Sequence, residues 1–109
     1  MTTKHTPGPW SVDINTNDPR EAETIRGGDG IRIAATYKIH KHRDDKTKAY
    51  YEARANSRLI ATAPEMLKVL RELIEQIDED MPEENMTRHF IDTLDDARYL
   101  IKKATGQEI

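Results

Sequence analysis

The stretch "AETIRGGDGIRIAATY", residues 22–37, decides the fold. Its second half places Ile31, Ile33, Ala35 and Tyr37 on one face, the period of two that marks a strand. "AETIR" reads as a second, weaker strand. The "GGDG" between them supplies glycines able to take the positive φ of a tight hairpin. Upstream, Trp10, Val12 and Ile14 alternate with Ser11, Asp13 and Asn15 as a further strand. "NTNDPRE" then provides turn formers, and Pro19 ends any ladder. The three runs predict an antiparallel β-meander over about residues 1–40, the smallest sheet that stands with one face covered.

Downstream the period changes. "KIHKHRDDKTK" is too polar for a core and reads as a loop over about residues 40–48. From about Ala49 the spacing is helical: Ala55 and Leu59 share a stripe, with Asn56, Ile60 and Ala63 beside it. Pro64 cannot donate a backbone hydrogen bond, so it should kink or restart this helix. Thr62 and Glu65 have capping-box spacing and favour a restart with Pro64 in the first turn. Met66, Leu67, Leu70, Leu73, Ile74 and Ile77 then point inward. "DEDMPEEN" is an acidic linker. A last helix from about Pro82 to Thr105 carries Phe90, Leu94, Ala97, Ile101 and Ala104 inward and stops at Gly106. The expected fold is α+β: one domain over 1–109, its three-stranded meander packed on a C-terminal helical hairpin (about 49–105) whose first helix is kinked at Pro64.

Composition limits the function. Of 109 residues, 36% are hydrophobic and 34% charged, so the core is thin. With no cysteine there is no disulfide frame, thiolate nucleophile or zinc-thiolate site. A net charge of −3 gives no global attraction to duplex nucleic acid or anionic lipid. "MTTKHTPGPW" contains no apolar run, and no segment approaches membrane-spanning length, so a soluble intracellular protein is expected. Leu59, Ile60, Val69, Leu73, Ile77, Tyr99 and Leu100 exceed what a small sheet and one hairpin can cover. A homo-oligomer would bury the remainder.

Few residues are arranged for chemistry. His40, His42 and Asp44 alternate as metal ligands on a strand would, but nothing nearby completes a tetrahedral set, and a solvated loop is the preferred reading. His5 and His89 lack a Ser or Cys partner, so no catalytic residue, metal or cofactor is expected and the protein is read as a non-enzyme. "RGGDG" lacks the Lys-Ser/Thr ending of a phosphate loop and reads as a hairpin turn. "DEDMPEEN" lacks the glycine and ligand spacing of a calcium loop. Arg54, Asn56 and Arg58 cluster early in the first helix, near where Trp10 should pack. Together with His5 they form a candidate binding set for phosphate and base. The competing reading pairs the arginines with Glu52 and other surface carboxylates. In "HTPGPW", Pro7 and Pro9 hold the chain extended and Gly8 permits close passage. Trp10 then lands on the helix-covered face as an anchor.

Two motifs, "HTPGPW" at 5–10 and "ARANSRLIATAPEMLKVL" at 53–70, resemble a widespread group of small phage and prophage proteins. Members typically begin His-Thr-Pro-Gly-Pro-Trp and later carry Ala-Asn-Ala-Arg-Leu-Ile-Ala-Ala-Ala-Pro before a leucine-rich helix. Ser57 and Thr62 stand where the group commonly has alanine. The second motif is also similar to the C-terminal part of some early-region phage accessory proteins. The resemblance identifies no activity. It implies a phage product working in the host bacterial cytoplasm, and small cysteine-free phage proteins without catalytic constellations often act by binding. The leading expectation is an anti-defence sponge that sequesters a nucleotide-type signal, a cyclic oligonucleotide or NAD derivative, at His5, Trp10, Arg54, Asn56 and Arg58. The alternative is a module that binds and inhibits a host or phage protein, with no small ligand.

Overall fold

The structure, a computed structural model, describes residues 5–14, 16, 20–38 and 46–106. The loop residues His40, His42 and Asp44 lie outside these. Strands β1 (Ser11–Asp13), β2 (Glu21–Arg26) and β3 (Arg32–Tyr37) form one antiparallel sheet in the order β1-β2-β3. Helix α1 (Lys46–Asp80), a short 3-10 turn (Glu83–Asn85) and helix α2 (Arg88–Thr105) follow. The architecture is α+β, a meander followed by two helices. The chain forms two compact units, Thr6–Glu65 and a second that holds His5 together with the residues from Met66 onward, with one boundary inside α1.

The hairpin between β2 and β3 closes where "GGDG" requires. Gly30 adopts a φ of 83°, the left-handed region that glycine enters without strain. Gly27 N–H donates to the Ile31 carbonyl at 2.9 Å, and Asp29 Oδ1 accepts from Ile31 N–H at 3.0 Å. Arg26 donates to the Gly30 carbonyl and to Asp13, so its guanidinium braces the turn.

The face of β3 that meets the helix differs from the expected one. Ile31 and Tyr37 are exposed, whereas Thr36 is buried. Val12 and Ala34 pair with the fully buried Ile25, and Thr36 pairs with Glu23. Thr36 bonds Ser57 of α1 and Glu23 meets Arg54, so the row Glu23, Ile25, Ala34 and Thr36 faces the helix. The helix meets it with Ala49, Ala53, Ser57 and Ala61, all buried and spaced four apart. The two rows are joined by the Thr36–Ser57 bond and the Glu23–Arg54 pair. The expected stripe of Ala55 and Leu59 therefore faces outward.

Thr62 and Glu65 form no capping box. The Thr62 hydroxyl donates to the Arg58 carbonyl at 2.7 Å, a bond made inside a continuing helix. Pro64 is accommodated within a single 35-residue helix rather than starting a second one. A proline in a helix interior loses one backbone bond and costs about 3 kcal/mol, which the burial of apolar residues before and after it offsets.

In the second unit, Ile74 and Leu94 are buried, with Leu67, Leu70, Ile77, Phe90, Ala97 and Ile101 half-buried, as their spacing predicts. Met66 and Leu73 depart from that expectation, being 45% and 53% exposed. Ala104 is exposed as well. Helix α2 begins later than Pro82 because Thr87 caps it, accepting from Phe90 N–H at 3.1 Å. It ends at Gly106, whose φ of 74° turns its N–H onto the Lys102 and Lys103 carbonyls.

Candidate functional site

The entry segment "TPGPW" is a strap over the β2–β3 turn. Pro7 offers its carbonyl to Gly28 N–H at 2.8 Å, and the Trp10 indole N–H donates to the Thr6 carbonyl at 2.9 Å. The Gly8–Pro9 peptide is cis. A Cβ on Gly28 would stand 2.8 Å from the Gly8 carbonyl oxygen and 2.9 Å from that of Pro7, so only glycine fits beneath the strap. A Cβ on Gly8 would lie 3.4 Å from the Pro64 Cβ. The strap thus meets α1 at Pro64, about 15 Å along the helix axis from Arg54. Trp10 is half-buried and His5 exposed.

The expected cationic set divides on the helix. Arg54 and Arg58 are one turn apart and share a face, while Asn56 is about 200° round the helix from Arg54. Arg54 turns toward the sheet: its Nε lies 3.8 Å from Glu23 Oε1, and its guanidinium sits over the Tyr50 ring at 5.6 Å from the centroid. Arg58 and Asn56 are exposed, and Arg58 makes no ion pair among the described residues. Tyr51, exposed and edge-on to Tyr50, lies two turns before Arg58 on the same side.

Residue spacing did not expose the reason Arg54 is held. Glu21 and Glu23 are buried on β2, their side chains only 5% accessible, and pair with Arg32 and Arg54 respectively. Glu21 Oε2, Glu23 Oε1 and Arg54 Nε have no hydrogen-bond partner among the described residues. The available signal was the alternation of Glu21 and Glu23 with Ala22 and Thr24 in a strand that has Ile25 on the same face. It could not name the partners, which come from β3 and α1.

The second unit presents exposed apolar side chains on both of its helices. Along α1, Met66, Val69 and Leu73 follow a three-four spacing and are 45%, 51% and 53% exposed. Glu65 and Glu72 lie one turn either side of Val69. On α2, Tyr99 and Leu100 are similarly exposed and adjoin Lys102 and Lys103. At the end of the hairpin an open groove of about 380 Å³ has Met81, Met86 and Leu94 in its lining. Arg98 closes one side by pairing with Asp78 of α1 and Asp95 of its own helix. No three metal-ligating side chains cluster, and no helix is long and apolar enough to cross a membrane, among the described residues.

No curated protein and no solved structure matches this chain. One family model does, that of Salmonella phage P22 protein Y8K6, over residues 1–108. With nearly the whole length matched, the chain belongs to the family of Salmonella phage P22 protein Y8K6.

Proposed function

We propose that this phage protein is a non-enzymatic interaction module that self-associates and acts by binding a host or phage protein. The carrying observation is the half-exposed row Met66, Val69 and Leu73, whose three-four spacing is that of a helix seam awaiting a partner. A second copy of the chain suits it. The acidic flank of Glu65 and Glu72 complements the lysines beside Tyr99 and Leu100 on α2, so one copy's α1 row can meet the other's α2 strip. An isologous dimer buries both strips twice.

Capture of a nucleotide signal is a second reading, favoured by exposed Arg58 and exposed Tyr51 on one helix face. Protein binding is preferred because Arg54 is engaged by a buried carboxylate and Asn56 points elsewhere. The two separate cleanly by experiment. Photo-crosslinkers placed at exposed positions of both units, in infected cells, should give a discrete adduct with one other protein. Cyclic nucleotides and ADP-ribose derivatives should leave the melting temperature unchanged. A nucleotide present at a thousandfold excess over its Kd would add about 4 kcal/mol of stability, so a rise of several degrees with no protein adduct would overturn the proposal. Self-association has its own check. Light scattering at micromolar concentration should show more than the 12.6 kDa monomer, and Leu73→Asp should restore the monomer.

A further inference from the structure

Helix α1 ends against electrostatic preference. Its last turn holds Asp78, Glu79 and Asp80 and no base, where the backbone dipole is already negative. Glu83 and Glu84 follow directly in the 3-10 turn. Of these five carboxylates only Asp78 is ion-paired among the described residues, to Arg98. Acidic side chains at a helix C-terminus lower stability, and departures from local rules are expected where a site is being kept.

The same end of the hairpin holds the groove of about 380 Å³. Its lining includes two methionines, Met81 and Met86, and the buried Leu94. Unbranched thioether side chains adapt to partners of varied shape, which is why they recur at surfaces that receive peptide side chains. The volume suits one or two side chains and is far too small for a folded domain. Arg98 offsets one of the two charges of Asp78 and Asp95 in its lining, so the remaining one adds to the uncompensated charge of Glu83 and its acidic neighbours.

We infer that this groove is a docking site for a basic peptide segment, in which one apolar side chain enters between Met81 and Met86 while flanking lysines or arginines meet Glu83, Glu84 and the acidic turn of α1. The inference rests on the reading of the chain as a protein-binding module. It adds where the partner docks and what chemistry it brings. The carbonyls that end α1 favour the same cations, because the last turn of a helix has acceptors without backbone donors.

The test uses the full chain with methyl-labelled methionine and two synthetic amphipathic peptides, one of leucine and lysine, the other with glutamate for every lysine. The basic peptide should shift the methyl signals of Met81 and Met86 and spare Met66. Its affinity should fall at least about tenfold between about 50 and about 300 mM salt. Glu83→Lys with Glu84→Lys should weaken it by at least about tenfold, with the far-ultraviolet circular dichroism unchanged. Equal binding of the acidic peptide, shifts at Met66 alone, or an unaffected double variant would each overturn the site. So would Met81 and Met86 shifts on simple dilution, which would mean that a second copy fills the groove. If the basic peptide is ignored while cross-linking still yields a protein adduct, the groove assignment fails and the protein-binding reading stands. A nucleotide-induced thermal shift without any adduct removes both.

Discussion

Thr36 Oγ1 and Ser57 Oγ are 2.6 Å apart and buried between β3 and α1. Ser57 donates its hydroxyl proton to the Ala53 carbonyl at 3.0 Å. A hydroxyl has one proton, so the Thr36 hydroxyl must be the donor to Ser57. The buried serine of α1 thus has a matched partner on the sheet.

Ser57→Ala should strand the buried Thr36 donor and destabilise the protein by about 1–3 kcal/mol. Adding Thr36→Val removes the stranded group and should recover most of the loss. Urea denaturation of the two single variants and the double variant measures the coupling. Additive losses would show that the two hydroxyls do not depend on each other.

Arg54 and Arg58 should behave oppositely although only one turn separates them. Arg54→Ala leaves the carboxylate of Glu23, itself 4% exposed, without its cation. Because Arg54 is partly solvated, the expected loss is about 1–3 kcal/mol, below that of a fully buried pair. Arg58→Ala should change stability by no more than about 0.5 kcal/mol, as expected for an exposed side chain with no ion pair among the described residues. Thermal melts of both variants decide the matter.

Gly28→Ala should displace the strap. The added methyl would collide with two backbone carbonyl oxygens, which cannot move as a flexible side chain would. It would also strain the bond from Gly28 N–H to Pro7. A drop in melting temperature of roughly 8 °C or more is expected for a loss of about 2 kcal/mol, together with a red shift of Trp10 fluorescence. An unshifted emission maximum would show that Trp10 is held without the strap.

Pro64→Ala should stabilise. Alanine restores the missing backbone donor of α1 and keeps the Cβ that Gly8 approaches, while proline is about 3 kcal/mol the worse residue in a helix interior. A lower melting temperature would mean that the pyrrolidine ring itself packs under the strap.

The local periods carried a good part of the fold. The alternation from Ile31 to Tyr37, the glycines before it and the helical spacing after Ala49 identified a meander and two helices, because each of these signals acts over a few bonds of backbone. Gly106 ended α2 for the same local reason. The Thr87 cap was present in the residues but masked by Pro82 and the acidic run, which offered an earlier start. At Thr62 the reverse held: the capping-box spacing was real, yet the continuing helix used the hydroxyl differently.

Which face of each element turns inward was decided only in three dimensions. Ile31, Ile33, Ala35 and Tyr37 are the more apolar row, but the helix meets the row of Thr36, whose hydroxyl bonds Ser57 within the buried row Ala49, Ala53, Ser57 and Ala61. Apolar side chains left outside, such as Leu59, Val69 and Leu73, gave the same spacing signal as those inside. The fate of Arg54 was equally hidden. A guanidinium in a sequence is equally suited to a phosphate or a carboxylate, and the buried Glu23 that holds it is brought there by a strand 31 residues earlier. Sequence determines what each residue can do within a turn or two of itself; the pairing of β2 with β3 and of the sheet with α1 determines which partner it finds, since those contacts depend on chain segments whose separation no local period records.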